Sequence, residues 1–417
     1  MLIMKIFHFI FKFYGKSNFI KKNITIVFFI FAFGYFLSTL LRAVTATLSP
    51  VLSSEFNLTS GELGLLGGGY FIGFAAMQIP LGYFLDRHGP KKVVTIFLGL
   101  AIIGILCFAL ATNFTNLFIG RVLIGVGVSA CLMAPLTGYR VWMEDTYQHR
   151  ANSWMLMVGS IGMLSSTLPV QYFLPLYGWR TIFLGLAFLT FICICLILLK
   201  SPSWNFDKNS TIKREGSLST IWKNSYFQSL IPIALFNVGG FYSIITLWAG
   251  PWMIRVSGYT PLESASGLFQ INIIMLFGYL IWGYINPQLL KLGYDANRLL
   301  KIGIPFTFIS LAIIIIMGPA AGANLWTLYC LCCVVFALTQ PAIGLSFPSH
   351  LAGKALTSHN LLFFVGIFIL QWGIGLVIDF AQKLGCSEVN SFRVAIFILL
   401  MLNIFSYIYF VVKNKKG

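Results

Sequence analysis

Gly82-Tyr83-Phe84-Leu85-Asp86-Arg87-His88-Gly89-Pro90-Lys91-Lys92 is a short charged stretch set between two long apolar ones, Ser60–Phe84 before it and Val93–Ala111 after it. A basic, glycine-containing turn says little by itself. Between two segments long enough to cross a bilayer, it points to a chain that enters and leaves a membrane repeatedly.

The rest of the chain agrees. Of its 417 residues, 58% are hydrophobic and 9% charged, with a mean hydropathy of +0.87. Soluble domains carry about 25% charged residues. No single water-soluble core hides so much apolar surface, so lipid must solvate most of it. Twelve helical spans are predicted: Ile24–Thr47, Ser60–Phe84, Val93–Ala111, Leu117–Trp142, Ser153–Pro175, Ile182–Leu199, Leu230–Trp252, Ala265–Ile285, Leu299–Met317, Leu325–Phe347, Leu356–Ile378 and Ser391–Val412. These runs are apolar all round rather than alternating, which excludes a transmembrane β-barrel.

A net charge of +17 invites a nucleic-acid reading, and its placement argues against one. The Lys and Arg crowd the N-terminal tail, the C-terminal tail and the loops on the same side as both tails. The other side holds only Arg180, Arg255, Lys383 and Arg393. The positive-inside rule then places both termini in the cytoplasm, with anionic lipid headgroups as the partner of the charge. Met1–Tyr14 is apolar with scattered Lys, but no small-residue cleavage site follows, so it reads as a tail on the membrane surface. Seven of the eight Cys fall inside spans, where Cys is a small hydrophobe. Cys330-Leu331-Cys332-Cys333 lacks partners at zinc spacing, and no metal or cofactor is expected.

Ser201–Ser225 is the longest hydrophilic stretch and divides the spans six and six. The predicted organisation is a cytoplasmic tail over 1–23, a six-helix bundle over 24–200, a linker over 201–225, a second bundle over 226–412 and a short tail over 413–417. The halves echo each other at a separation of 201: Pro50 with Pro251, Thr59 with Thr260, Glu62 with Glu263, Gly82 with Gly283 and Tyr83 with Tyr284. Parallel repeats of this kind are known from membrane transporters.

Gly82-x-x-x-Asp86-Arg87-x-Gly89-x-Lys91-Lys92 resembles the signature between spans 2 and 3 of the major facilitator superfamily, and Gly120-Arg121-Val-Leu-Ile-Gly125-Val-Gly127 resembles its span 4 signature. The resemblance covers essentially the whole chain. It implies an all-α membrane protein, two pseudo-symmetric six-helix bundles that rock about a midplane site, and transport rather than catalysis. It further implies a conformational latch formed by Gly82, Asp86, Arg87, Gly89 and Lys91, with Arg121 as a latch or structural residue. Gly283-Tyr-Ile-Asn286-Pro287 keeps the glycine and loses the acid, so the latch is expected to be asymmetric.

An ionisable side chain inside a bilayer is costly and marks function by default. Arg42 is the leading candidate. Its setting, Gly34-Tyr35-x6-Arg42-x7-Pro50, resembles span 1 of organic-anion and organophosphate permeases, where the resemblance gives the Arg an anionic group to grip. A guanidinium pairs well with carboxylate or phosphate. The competing reading has Arg42 snorkel toward the membrane surface. Ser243 stands where phosphate-carrying relatives have a second Arg, which speaks against a dianionic phosphate. Tyr35, Ser38, Gln171, Asn237, Tyr242, Trp248, Asn272 and Gln371 are candidate lining residues, because amides and hydroxyls in lipid need partners. All 11 acids fall at span ends or in loops, and the five His are placed at the cytoplasmic side.

The expected function is therefore secondary active or facilitative transport of a small, anionic or zwitterionic organic solute across a bacterial inner membrane, by a monomer. A drug or siderophore exporter is the alternative. An enzyme would need a nucleophile, base or metal set converging at one face, and none is visible. A sensor would need an appended signalling domain.

Overall fold

The computed structural model describes residues 18–202 and 218–414. Most of each predicted tail and of the predicted linker lies outside them. The first half contains α1 (Asn18–Phe56), α2 (Ser60–Ala76), α3 (Gln78–Ala109), α4 (Phe114–Val128), α5 (Ala130–Trp142), α6 (Asp145–Ser165) and α7 (Leu168–Lys200). The second begins with α8 (Leu218–Lys223), α9 (Ser225–Pro232), α10 (Gly239–Ser243) and α11 (Ala249–Arg255). It continues with α12 (Pro261–Lys291), α13 (Ala296–Met317), α14 (Ala323–Cys332), α15 (Thr339–Ser346), α16 (Ser349–Lys383) and α17 (Glu388–Lys413). Two π-helical segments, Ile233–Val238 and Ile244–Trp248, join α9, α10 and α11 into one rod.

Ten helical stretches among the described residues are long and apolar enough to cross a membrane. Two of the twelve predicted spans do not stand alone. Ser60–Phe84 is shared between α2 and α3, and Ser153–Pro175 between α6 and α7. The breaks inside them fall at Met77 and at Ser166–Thr167, whereas the turns to the next span fall at two glycines that each sit within a longer helix. The predicted loop 82–92 is almost entirely helical; the chain reverses at Gly89 alone, with φ 74° and ψ 164°. An L side chain resists that conformation, and Pro90 then suits the first turn of the next helix because it needs no N–H donor. Gly178 breaks α7 in the same way.

Two further boundaries differ from expectation. α1 starts at Asn18, within the predicted tail, and α8 forms inside the predicted linker. Ile221 of α8 is fully buried and Trp222 packs edge-on against Phe227 at 5.6 Å. An apolar pair of that kind was hidden in a polar stretch.

The echo at separation 201 has a physical form. Thr59 and Glu62 make a capping box at the start of α2, and Thr260 and Glu263 make one at the start of α12. Each satisfies two N–H groups that the helix itself leaves open. Large apolar side chains such as Leu199, Ile316 and Leu345 point outward, as lipid-facing residues should.

Candidate substrate site

α1 continues to Phe56, which puts Arg42 roughly four turns from the helix end. That is deeper than a span ending at Thr47 would place it. The guanidinium carbon lies 5.9 Å from the Tyr70 ring, 5.5 Å from Phe74 and 5.9 Å from Phe364. Such separations are within cation–π range. Tyr70 and Phe74 come from α2, one turn apart. Phe364 comes from α16 and packs on Phe74 at 4.4 Å and on Phe363 at 4.1 Å. Phe363 in turn stacks on Tyr242 of α10 at 5.8 Å. Tyr35 and Tyr242 also stand near Arg42. Arg42 Nε is buried without a hydrogen-bond partner.

A second guanidinium stands nearby. Arg121 of α4 is fully buried, lies 5.4 Å from the same Tyr70 ring and donates from Nη1 to the Leu41 carbonyl at 2.8 Å. Its Nε and Nη2 have no partner. Tyr70 is thus flanked by two cations, neither with an acid beside it among the described residues. Expectation gave Arg121 a latch or a structural role. The structure sets it at Tyr70, about 24 Å along the helical rise from Asp86.

The other candidates divide by what holds them. Ser38 is buried, with its hydroxyl 3.4 Å from that of Tyr70. Tyr35 packs beside Gly159 of α6, and Tyr242 joins the ring stack. These three belong to the Arg42 neighbourhood. Gln371 donates to Thr246 at 2.9 Å and its backbone carbonyl accepts from Trp248 Nε1 at 3.0 Å; that set ties α16 to the second π segment. Asn237 donates to Ser406 and toward the Asn403 carbonyl of α17. Asn272 donates to the Leu268 carbonyl of its own helix at 2.8 Å. Gln171 sits in the first turn of α7, part-exposed. The structure does not bring Asn237, Asn272 or Gln171 to Arg42.

Ser243 is fully buried and donates to the carbonyls of Gly239 at 2.7 Å and Ile367 at 3.2 Å. At the predicted latch, Arg87 donates to Tyr83 Oη at 2.8 Å and Lys91 to the Ser201 carbonyl at 3.2 Å. Gly82 lies one turn before Asp86, which is exposed on the last turn ahead of Gly89. His359 of α16 is buried among the helices, 1% exposed, 6.3 Å from Phe363 and with both ring nitrogens unpartnered.

Sequence reasoning missed Tyr70, Phe74 and Phe364. In an apolar helix an aromatic residue reads as core, and only the register between α2 and α16 reveals the cage. The sole local signal was Gly67-Gly68-Gly69 beside Tyr70, a sign of close helix approach.

Long apolar helices crossing around a ring-bound cation define a class: a polytopic helical membrane protein. Residues 31–371 match the Major Facilitator Superfamily, and the chain belongs to that family. Family and relatives are transporters, not enzymes.

Among relatives, a Bacillus subtilis protein provisionally named as a niacin/nicotinamide transporter is 26% identical over 234 residues, 55% of this chain and 58% of that protein. A galacturonate transporter of Dickeya chrysanthemi is 21% identical, covering 69% of this chain and 87% of the relative. A crystal structure of a bacterial homolog of the human lysosomal transporter Spinster, inward-facing and unoccupied, superposes with a TM-score of 0.77. It shares 14% identity and covers 96% of this chain and 98% of that one. At that identity the likeness is one of fold.

Proposed function

We propose that the protein carries small organic anions across a bacterial inner membrane by alternating access, as a monomer with both termini in the cytoplasm. The observation that carries this reading is the charge of the centre. Two guanidiniums flank Tyr70, and among the described residues no carboxylate stands beside Arg42 or Arg121. A cation without a counter-charge is expensive where it is buried, as Arg121 is fully and Arg42 in part. It is tolerated when rings supply a partial counter-field and when a ligand completes the pairing. Two relatives whose names denote solutes with a carboxylic acid form, niacin and galacturonate, agree with that charge.

The twelve-span organisation belongs to the same reading. Counting α2 with the part of α3 before Gly89 as one crossing, and α6 with the part of α7 before Gly178 as another, gives six crossings in residues 24–200. The rod of α9 to α11, α12, α13, α14 with α15, α16 and α17 give six more within 226–412. An even count returns both termini to one side, as the Lys and Arg distribution requires.

Thermal unfolding of purified wild type and Arg42→Ala in nicotinate, galacturonate and glucose tests the proposal. Saturating ligand at a hundred times Kd stabilises by about 2.7 kcal/mol. A carboxylate that raises the unfolding temperature of the wild type and leaves R42A unmoved supports the assignment. Equal stabilisation of both proteins by an anion, or by glucose alone, would sink it.

A further inference from the structure

α2 and α16 are closed against each other at one end by a charged clasp. Asp379, in the last turn of α16, accepts from the Ser60 N–H at 2.9 Å and from the Gly61 N–H at 2.7 Å. Those are among the N–H groups that the start of α2 cannot satisfy within its own helix. Thr59 takes the N–H of Glu62 at 3.1 Å, so a carboxylate from 319 residues away supplies much of the remaining cap. Arg255 of α11 reinforces it, donating from Nη1 to Ser60 Oγ at 3.1 Å and from Nε to Glu388 of α17 at 2.5 Å.

The backbones are built for this approach. A Cβ on Gly61 would stand 2.8 Å from Asp379 Oδ2, one on Gly64 would run into the Gln371 carbonyl, and one on Gly375 would run into the Ser60 carbonyl. Small residues at these positions let two helices touch along their length.

We propose that Asp379 is a positioning residue of the transport cycle: it holds this end of α2 and α16 shut, and it releases the Ser60 and Gly61 amides each time that end opens. The assignment rests on the alternating-access reading above. Bonds from N–H to an ionised carboxylate are roughly twice as strong as neutral ones, and the start of a helix favours negative charge. Asp379 is also only part-buried. When α2 withdraws, water reaches both the carboxylate and the amides, so the clasp is firm without being irreversible. The continuation of α2 into α3 touches α16 as well, and Asp86 lies on that continuation near the opposite end. One helix pair therefore carries an acid toward each end, each acid on a different helix.

Spin labels read both ends. One pair replaces Ser54 and Lys383, both placed near the clasp; the other replaces Lys92 and Lys354 at the far end; exposed Cys386 is changed to Ser in every sample. Distances are measured by double electron–electron resonance in liposomes without added solute. The expected result is a shift of about tenfold in the ratio of short to long 54–383 distances for Asp379→Asn. D379E should restore part of the short population. Gly61→Ala, whose added methyl crowds the carboxylate, should move the ratio the same way by less, and it tests the clasp independently if D379N does not fold.

If D379N or G61A leaves the 54–383 distribution as in wild type while Asp86→Asn moves the far pair, the Asp379 assignment is wrong and alternating access stands. If neither pair shows a second distance in any sample, both readings fall.

Discussion

Arg42 and Ser243 occupy corresponding places in the two halves, 201 positions apart, yet they answer opposite demands. Arg42 rides a regular helix, and its Nε has no partner. Ser243 closes a short α segment between two π segments and spends its hydroxyl on the carbonyls of Gly239 and Ile367. The first half thus offers charge from a stiff support. The second offers rings, Tyr242 and Phe364, with Tyr242 on a rod interrupted by two π segments, features often found at functional sites. Lining up halves by sequence suggested a missing second cation. In space the second cation is present, but it is Arg121 from the same half, across Tyr70. Pseudo-symmetry of the backbone does not extend to the charge.

The most severe way to break that comparison is Ser243→Arg, which rebuilds the symmetric pair. The site is fully buried, and both serine bonds go to helix carbonyls. Burying an unpaired guanidinium costs several kcal/mol, against a total stability of about 5–15 kcal/mol. S243R should lose most folded protein, read as monodisperse recovery in detergent and as a steep fall in unfolding temperature. A well-folded S243R that gained affinity for dianions would show that the second half is an equivalent binding surface after all.

Arg42→Lys keeps the charge and removes the planar fork. A lysine ammonium is a compact, strongly hydrated charge that cannot pair bidentately with a carboxylate. The expected outcome is affinity for the stabilising anion lower by about tenfold, equivalent to about 1.4 kcal/mol, with unfolding temperature in the absence of ligand nearly unchanged. Equal affinities for R42K and wild type would mean that Arg42 acts only as a point charge.

How much of this could be read beforehand follows from how local each feature is. Gly89-Pro90 announces a chain reversal within two residues, and it was legible, although the turn proved far shorter than the charged stretch suggested. The capping boxes at Thr59–Glu62 and Thr260–Glu263 are four-residue motifs, and they surfaced as paired identities. Arg42 was legible because lipid makes any internal charge conspicuous. The cage around it was not, since Phe364 and Phe74 meet across 290 residues and each looks like ordinary core in its own helix. The Asp379 clasp failed to show for the same reason.

The mildest and most discriminating change is Phe364→Leu. Leucine keeps an apolar side chain against Phe74 and Phe363 but removes the quadrupole that faces the guanidinium at 5.9 Å. One ring of a partly desolvated cation–π set contributes about 0.5–1 kcal/mol. The other two rings, Tyr70 and Phe74, come from the same half as Arg42, so they travel with it; within the cage, Phe364 is the ring that ties the cation to the second half. Its loss should weaken anion binding about threefold, measured by titration of unfolding temperature, with the unfolding temperature in the absence of ligand nearly unchanged. An affinity equal to that of the wild type would show that the ring of the second half does not act on the cation of the first.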